Sequence, residues 1–180
     1  MKKLILTTLI CLLLFNSAYA ITLKELIKTC YTPEQLGSWI KDNVEYTREK
    51  KGEDYWQTPE EMLANLNSKG KVVGDCEDTA ILAWEVLNNH GVEAYYLGSI
   101  RYNELTDVTQ VHACCAFIHK GRWHYIDSFG LHRAKVAENL VQLGEEIMGA
   151  RFVKIEVYKY PLEKCTKIQK SKYFSFEDGK

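Results

Sequence analysis

Cys76 lies in Gly-Asp-Cys-Glu-Asp-Thr-Ala-Ile-Leu, residues 74–82, a thiol among three carboxylates where an apolar helical pattern begins. A cysteine attacks carbonyls as the thiolate. That form is favoured where the free N–H groups and positive dipole end of a helix start face the sulfur, which takes its pKa from about 8.5 to roughly 3.5–7.5. Asp75 reads as the N-cap, with Asp78 three positions on. The side chains of Glu77 and Asp78 are expected to turn to solvent or to basic partners rather than onto the sulfur. Because these acids oppose ionisation, the chemistry needs a cationic neighbour.

His112, at the head of Val111 to Gly130, is that neighbour by type and by spacing. Two strand-like runs flank Lys120-Gly121 and predict a hairpin with a loop of two or four residues. Either even loop sets position 114 opposite 127, so Asp127 shares a face with His112 and Cys114 and lies diagonal to the imidazole. A helix-start thiol, a strand histidine and a carboxylate that fixes its tautomer make a nucleophile, a base and an orienter for acyl transfer. His119, His124 and His132 are expected in turns or at the surface. The cysteines and histidines show neither a C-x-x-C pair nor an H-E-x-x-H helix, and no metal or cofactor is expected. Asp75, Glu77 and Asp78 lack the alternating oxygens of a dedicated calcium loop.

The elements that must carry these groups are legible from caps and periods. Thr32-Pro33-Glu34-Gln35 and Thr58-Pro59-Glu60-Glu61 are capping boxes with proline at the first helical position. The first predicts a helix to about Tyr46. The nucleophile helix runs from Asp75 to Gly91. Strand patterns follow over 93–101, 111–118, 122–127 and 153–157, with a helix over 134–148. Helices first and an antiparallel sheet after is an α+β order.

Composition bounds the rest. Residues 1–20 combine Lys2-Lys3, an apolar run from Leu4 to Phe15 and Ala18-Tyr19-Ala20, the pattern of a secretory signal peptide. A mature chain over 21–180, exported to a periplasm or the medium, then forms one domain with no integral membrane segment. Of 23 basic and 24 acidic residues, 21 and 24 remain, a net −3 that gives no electrostatic case for nucleic acid. Five cysteines stay: Cys30, Cys76, Cys114, Cys115 and Cys165. An odd count in an oxidising compartment leaves one thiol over, as a nucleophile would be. Cys30 and Cys165 flank the outer segments and are expected to pair as a disulfide.

"WQTPEEML", "GDCEDTAIL", "VHACCAFI" and "WHYIDSFG" resemble the transglutaminase-like branch of the papain-like thiol enzymes, especially its small bacterial cysteine peptidases, over about residues 55–130. The resemblance implies Cys76 as nucleophile, His112 as base and Asp127 as orienter, in a core whose cysteine helix packs on an antiparallel sheet. The Cys76 backbone N–H is one expected oxyanion donor, and the region of Trp56 and Gln57 offers a second. The expected substrate is a peptide or protein amide, with water or an amine taking the acyl group from a thioester. Hydrolysis is the expectation, since water is always present. A second hypothesis is a silent binding module in which the Cys76 thiol is blocked or tied to Cys114 or Cys115.

Overall fold

The computed structural model describes residues 21–49, 55–103, 108–149 and 154–159. The leader-like residues 1–20, Cys165 and Val153 lie outside them. Four helices begin with reciprocal caps, each worth about 1 kcal/mol. Helix α1 (Leu23–Thr29) starts at Thr22, whose hydroxyl accepts from Glu25 N–H while Glu25 accepts from Thr22 N–H. Helix α2 (Pro33–Asn43) does the same with Thr32 and Gln35, and α3 (Pro59–Ala64) with Thr58 and Glu61. In α4 (Cys76–Asn89) Asp75 accepts from Glu77 and Asp78 N–H, and Asp78 accepts from Asp75 N–H. The last three caps are those predicted. The helix expected to reach Tyr46 stops at Asn43, because Val44 is extended and buried; Val44–Tyr46 forms β1, parallel to β2 (Val72–Gly74).

The remaining strands make one antiparallel sheet in the order β6-β5-β4-β3-β7. Its members are β3 (Ala94–Asn103), β4 (Val108–His119), β5 (Arg122–Asp127), β6 (Gly130–Arg133) and β7 (Lys154–Lys159). Lys120 and Gly121 both have positive φ, 51° and 73°, and form a two-residue turn between β4 and β5. Cys115 therefore pairs with Ile126, which sets position 114 opposite 127 as the even-loop argument required.

Each face of the sheet carries its own core. Ala113, Cys115 and Phe117 pack with Ile81, Trp84 and Leu87 of α4, and Trp84 Nε1 donates to Ala94 O at 3.0 Å. On the opposite face Leu97, Cys114, Ala116 and Ile155 pack with Leu143 of α5 (Leu140–Met148), a helix shorter than the predicted 134–148. Helix α2 closes on β6 so tightly that a Cβ at Gly37 would lie 2.5 Å from Leu131 Cβ. No described helix is long and apolar enough to cross a membrane.

Candidate active site

The start of α4 is held from below by a buried acid. Asp78 is 2 % exposed. Its Oδ1 accepts from Gln57 N–H at 2.7 Å, and its Oδ2 accepts from Gln57 Nε2 at 2.6 Å and from Asp75 N–H at 3.1 Å. Burial pushes the Asp78 carboxyl up, against these hydrogen bonds. Asp75 is pushed up to about 7, by burial first and then by the charges of Glu77 and Asp78. A Cβ at Gly74 would meet Asp78 Cβ at 3.0 Å and Met62 Cε at 2.9 Å, so β2 approaches this corner closely and a side chain there would make Asp78 or Met62 shift. The Gln57 amide also donates to Val73 O at 3.4 Å. All the N–H groups of Gln57 are thus committed to Asp78 and Val73, a clamp rather than a free oxyanion donor. Trp56 stacks on Tyr96 with ring centroids 5.1 Å apart.

Cys76 is 7 % exposed. Its thiol donates to Glu77 Oε2 at 2.8 Å. Burial raises its pKa, followed by the Glu77 charge and that hydrogen bond; the Ala113 N–H acts in the opposite sense. The sequence reading put Glu77 and Asp78 away from the sulfur and predicted an acidic thiol. Asp78 does stay off the sulfur, turned inward to Gln57 rather than to solvent, but the structure corrects the reading at Glu77, which lies on the sulfur, and at the thiol, whose pKa is raised. In the resting protein the helix start is outweighed by desolvation and a neighbouring anion. Contact with Ala113 nonetheless sets the sulfur beside the residue that follows His112. Among the described residues β5 pairs with β4 only from Cys115 to His119, so His112 lies beyond that pairing with its side chain 26 % exposed, while Ala113 is buried.

His112 Nε2 lies 3.2 Å from Asp127 Oδ2, with the two side chains 26 % and 7 % exposed. A carboxylate only accepts, so it fixes the proton on Nε2 and leaves Nδ1 with the lone pair. Asp127 Oδ1 accepts from Phe129 N–H at 2.8 Å and from His132 Nε2 at 2.9 Å. Burial works to raise the Asp127 pKa, but the His112 and Phe129 hydrogen bonds and the neighbouring histidines hold it below the usual carboxylate value. Thr79 Oγ1 and Ser128 Oγ, 3.2 Å apart, tie α4 to the turn after Asp127. The structure thus brings His112 and Asp127 together. It sets Cys76 against their strand without a hydrogen bond to the imidazole.

His132, expected in a turn or at the surface, lies in β6 with its side chain 35 % exposed and its Nε2 on Asp127. The signal was available: a tight reversal at Asp127-Ser128-Phe129-Gly130 pairs 132 with 125, diagonal to 127 on the same face.

The sequence profile of the transglutaminase-like superfamily matches residues 18–128, which include Cys76, His112 and Asp127. The chain belongs to the transglutaminase-like superfamily. Solved structures of Legionella pneumophila LapG are similar to this chain at 20 % identity. The EGTA-treated form has a TM-score of 0.45, covering 62 % of this chain and 63 % of that one. The calcium-bound form has a TM-score of 0.46, with 62 % and 65 % covered. The match therefore spans less than two thirds of the LapG chains. No curated protein matches the sequence.

In this transglutaminase-like site the oxygen-rich corner is Asp75, Glu77 and Asp78. Both Asp78 oxygens and Asp75 Oδ1 already accept N–H groups. Among the described residues no group of three His, Cys, Asp or Glu side chains is arranged to hold a metal ion.

Proposed function

We propose that this chain is an exported cysteine-peptidase-like amide hydrolase in which Cys76 is the nucleophile, His112 the base and Asp127 its orienter. Membership of the transglutaminase-like superfamily supports the class. The observation that carries the assignment is the Asp127 bond to His112 Nε2, which dedicates Nδ1 to proton transfer. His112 Nδ1 takes the Cys76 proton, and the sulfur attacks the amide carbon. The developing oxyanion meets the Cys76 backbone N–H at the helix start. His112 returns the proton to the leaving nitrogen as the C–N bond breaks. Water then cleaves the thioester, with His112 again as base. Tyr46, Val111 and Phe129 are 46 %, 54 % and 70 % exposed; Tyr46 pairs with Gly74 two residues before Cys76, Val111 precedes His112, and Phe129 N–H donates to Asp127, apolar side chains suited to meet an extended peptide. Export is proposed on the pattern of residues 1–20.

The Cys76 to Glu77 hydrogen bond favours one second reading, a binding module whose thiol is kept protonated. One experiment separates the two. A peptide mixture incubated with the purified protein is mapped for new termini against a Cys76→Ala control. Cys76-dependent termini support the hydrolase. Identical maps from both proteins leave the binding module.

A further inference from the structure

Asp127 serves two imidazoles, and the one on the reaction side is the more loosely held. The contact to His112 Nε2 is 3.2 Å, whereas His132 Nε2 lies at 2.9 Å and Phe129 N–H at 2.8 Å, both on Oδ1. Charge-assisted N–H to carboxylate bonds are strong at about 2.7–2.9 Å, so the carboxylate is anchored through Oδ1. The final torsion of an aspartate is soft and roughly two-fold. With Oδ1 gripped from two directions, the plane of the carboxylate is set and Oδ2 stays on His112. The ring that does this is itself fixed: His132 stacks on Tyr125 with centroids 4.7 Å apart and planes 17° apart, and the two residues pair across β5 and β6.

We propose that His132 is a positioning residue for the reaction, acting through Asp127 to hold the His112 imidazole in its working tautomer and orientation. The inference rests on His112 being the base. Because Phe129 N–H remains on Oδ1 when the imidazole is removed, the loss should be partial, about ten- to a hundredfold in kcat, as for other groups that orient a catalytic ligand. Substrate contacts are untouched, so KM should stay within about twofold.

Two substitutions separate the hydrogen bond from the packing. His132→Gln keeps a donor at the Nε2 position and lacks the ring, whereas His132→Phe keeps the stack on Tyr125 and lacks the donor. Turnover of a cleaved peptide is measured for both, and the His112 Nε2–H resonance is followed by nitrogen-edited NMR in a Cys76→Ala background. The proposal expects the Gln variant to keep the resonance and a kcat within about threefold of wild type, with both lost in the Phe variant. A Gln variant as impaired as the Phe variant, a Phe variant with wild-type kcat, or a resonance unchanged in the Phe variant overturns it. If the Phe variant does not fold, the Gln variant decides alone, since a packing role predicts that it loses what a donor role predicts it keeps. If turnover survives Cys76→Ala, the catalytic reading fails instead, while the resonance still judges His132.

Discussion

Glu77 Oε2 accepts a hydrogen bond from the Cys76 thiol at 2.8 Å, so that bond must break before the sulfur can react. Replacing Glu77 by Gln removes a negative charge beside the thiol and should lower its pKa. A shift of one unit would make iodoacetamide labelling of Cys76 at pH 7.5 about tenfold faster. Rates equal to wild type across the pH range would show that the Glu77 charge does not control the sulfur. Asp127→Asn tests the other end of the relay. It keeps the shape and puts an amide against His112 Nε2, which favours the wrong tautomer and should cost about 10²- to 10⁴-fold in kcat with thermal stability little changed. Full activity in this variant would remove Asp127 from the mechanism. The place of Cys76 at a helix start and of Asp127 beside His112 was readable from sequence, because one helix cap and one even turn set them. The bond from the Cys76 thiol to Glu77 was not, because residue spacing does not encode which way a carboxylate at a helix start turns.

The cap of α4 carries a pH signature. Asp75 has a folded-state pKa of about 7 against an ordinary 3.8. A carboxyl raised by folding contributes its stability in full below the unfolded value and loses it as pH rises through the folded one. Asn caps a helix as well as Asp does, so Asp75→Asn should lose less melting temperature than wild type between pH 4 and pH 8. Parallel melting curves for the two proteins would contradict the assignment. The docking of α2 on β6 invites a second test, because Gly37→Ala sets a methyl 2.5 Å from Leu131 Cβ. About 1–3 kcal/mol should be lost in chemical denaturation, with a fall in turnover, since His132 follows Leu131 on the displaced strand. No loss in either measurement would mean that the two elements separate freely. Helices opened by Thr-Pro boxes and the 122–127 strand were legible because their signals lie within a few residues. Strands β1 and β2, three residues each, are too short for a period to show. Helix α1 carries the same Thr-x-x-Glu signal as the others, at Thr22 to Glu25, and its short apolar face was passed over.

At the scale of the whole molecule, substrate should meet a rim contributed by three separate elements: Tyr46 from β1, Val111 from β4 and Phe129 from the turn after β5. Phe129→Ala is expected to raise KM severalfold at near-constant kcat, since the ring can touch substrate but not the reacting atoms. An unchanged KM would move the binding surface elsewhere. The α+β order of the chain and its superfamily could be argued from sequence, whereas the distribution of burial across both faces of the sheet could not. That distribution matters most at β4, where Cys114 and Cys115 are 1 % and 0 % exposed in two different cores, with Cys30 at 4 % in the core beneath α1 and α2. A thiol reagent can reach Cys114 or Cys115 only when the sheet parts from a covering helix, so their modification keeps time with the opening of the native state rather than with the chemistry of the reagent. Oxidative scars at these two positions would be a record of how often each molecule has come apart.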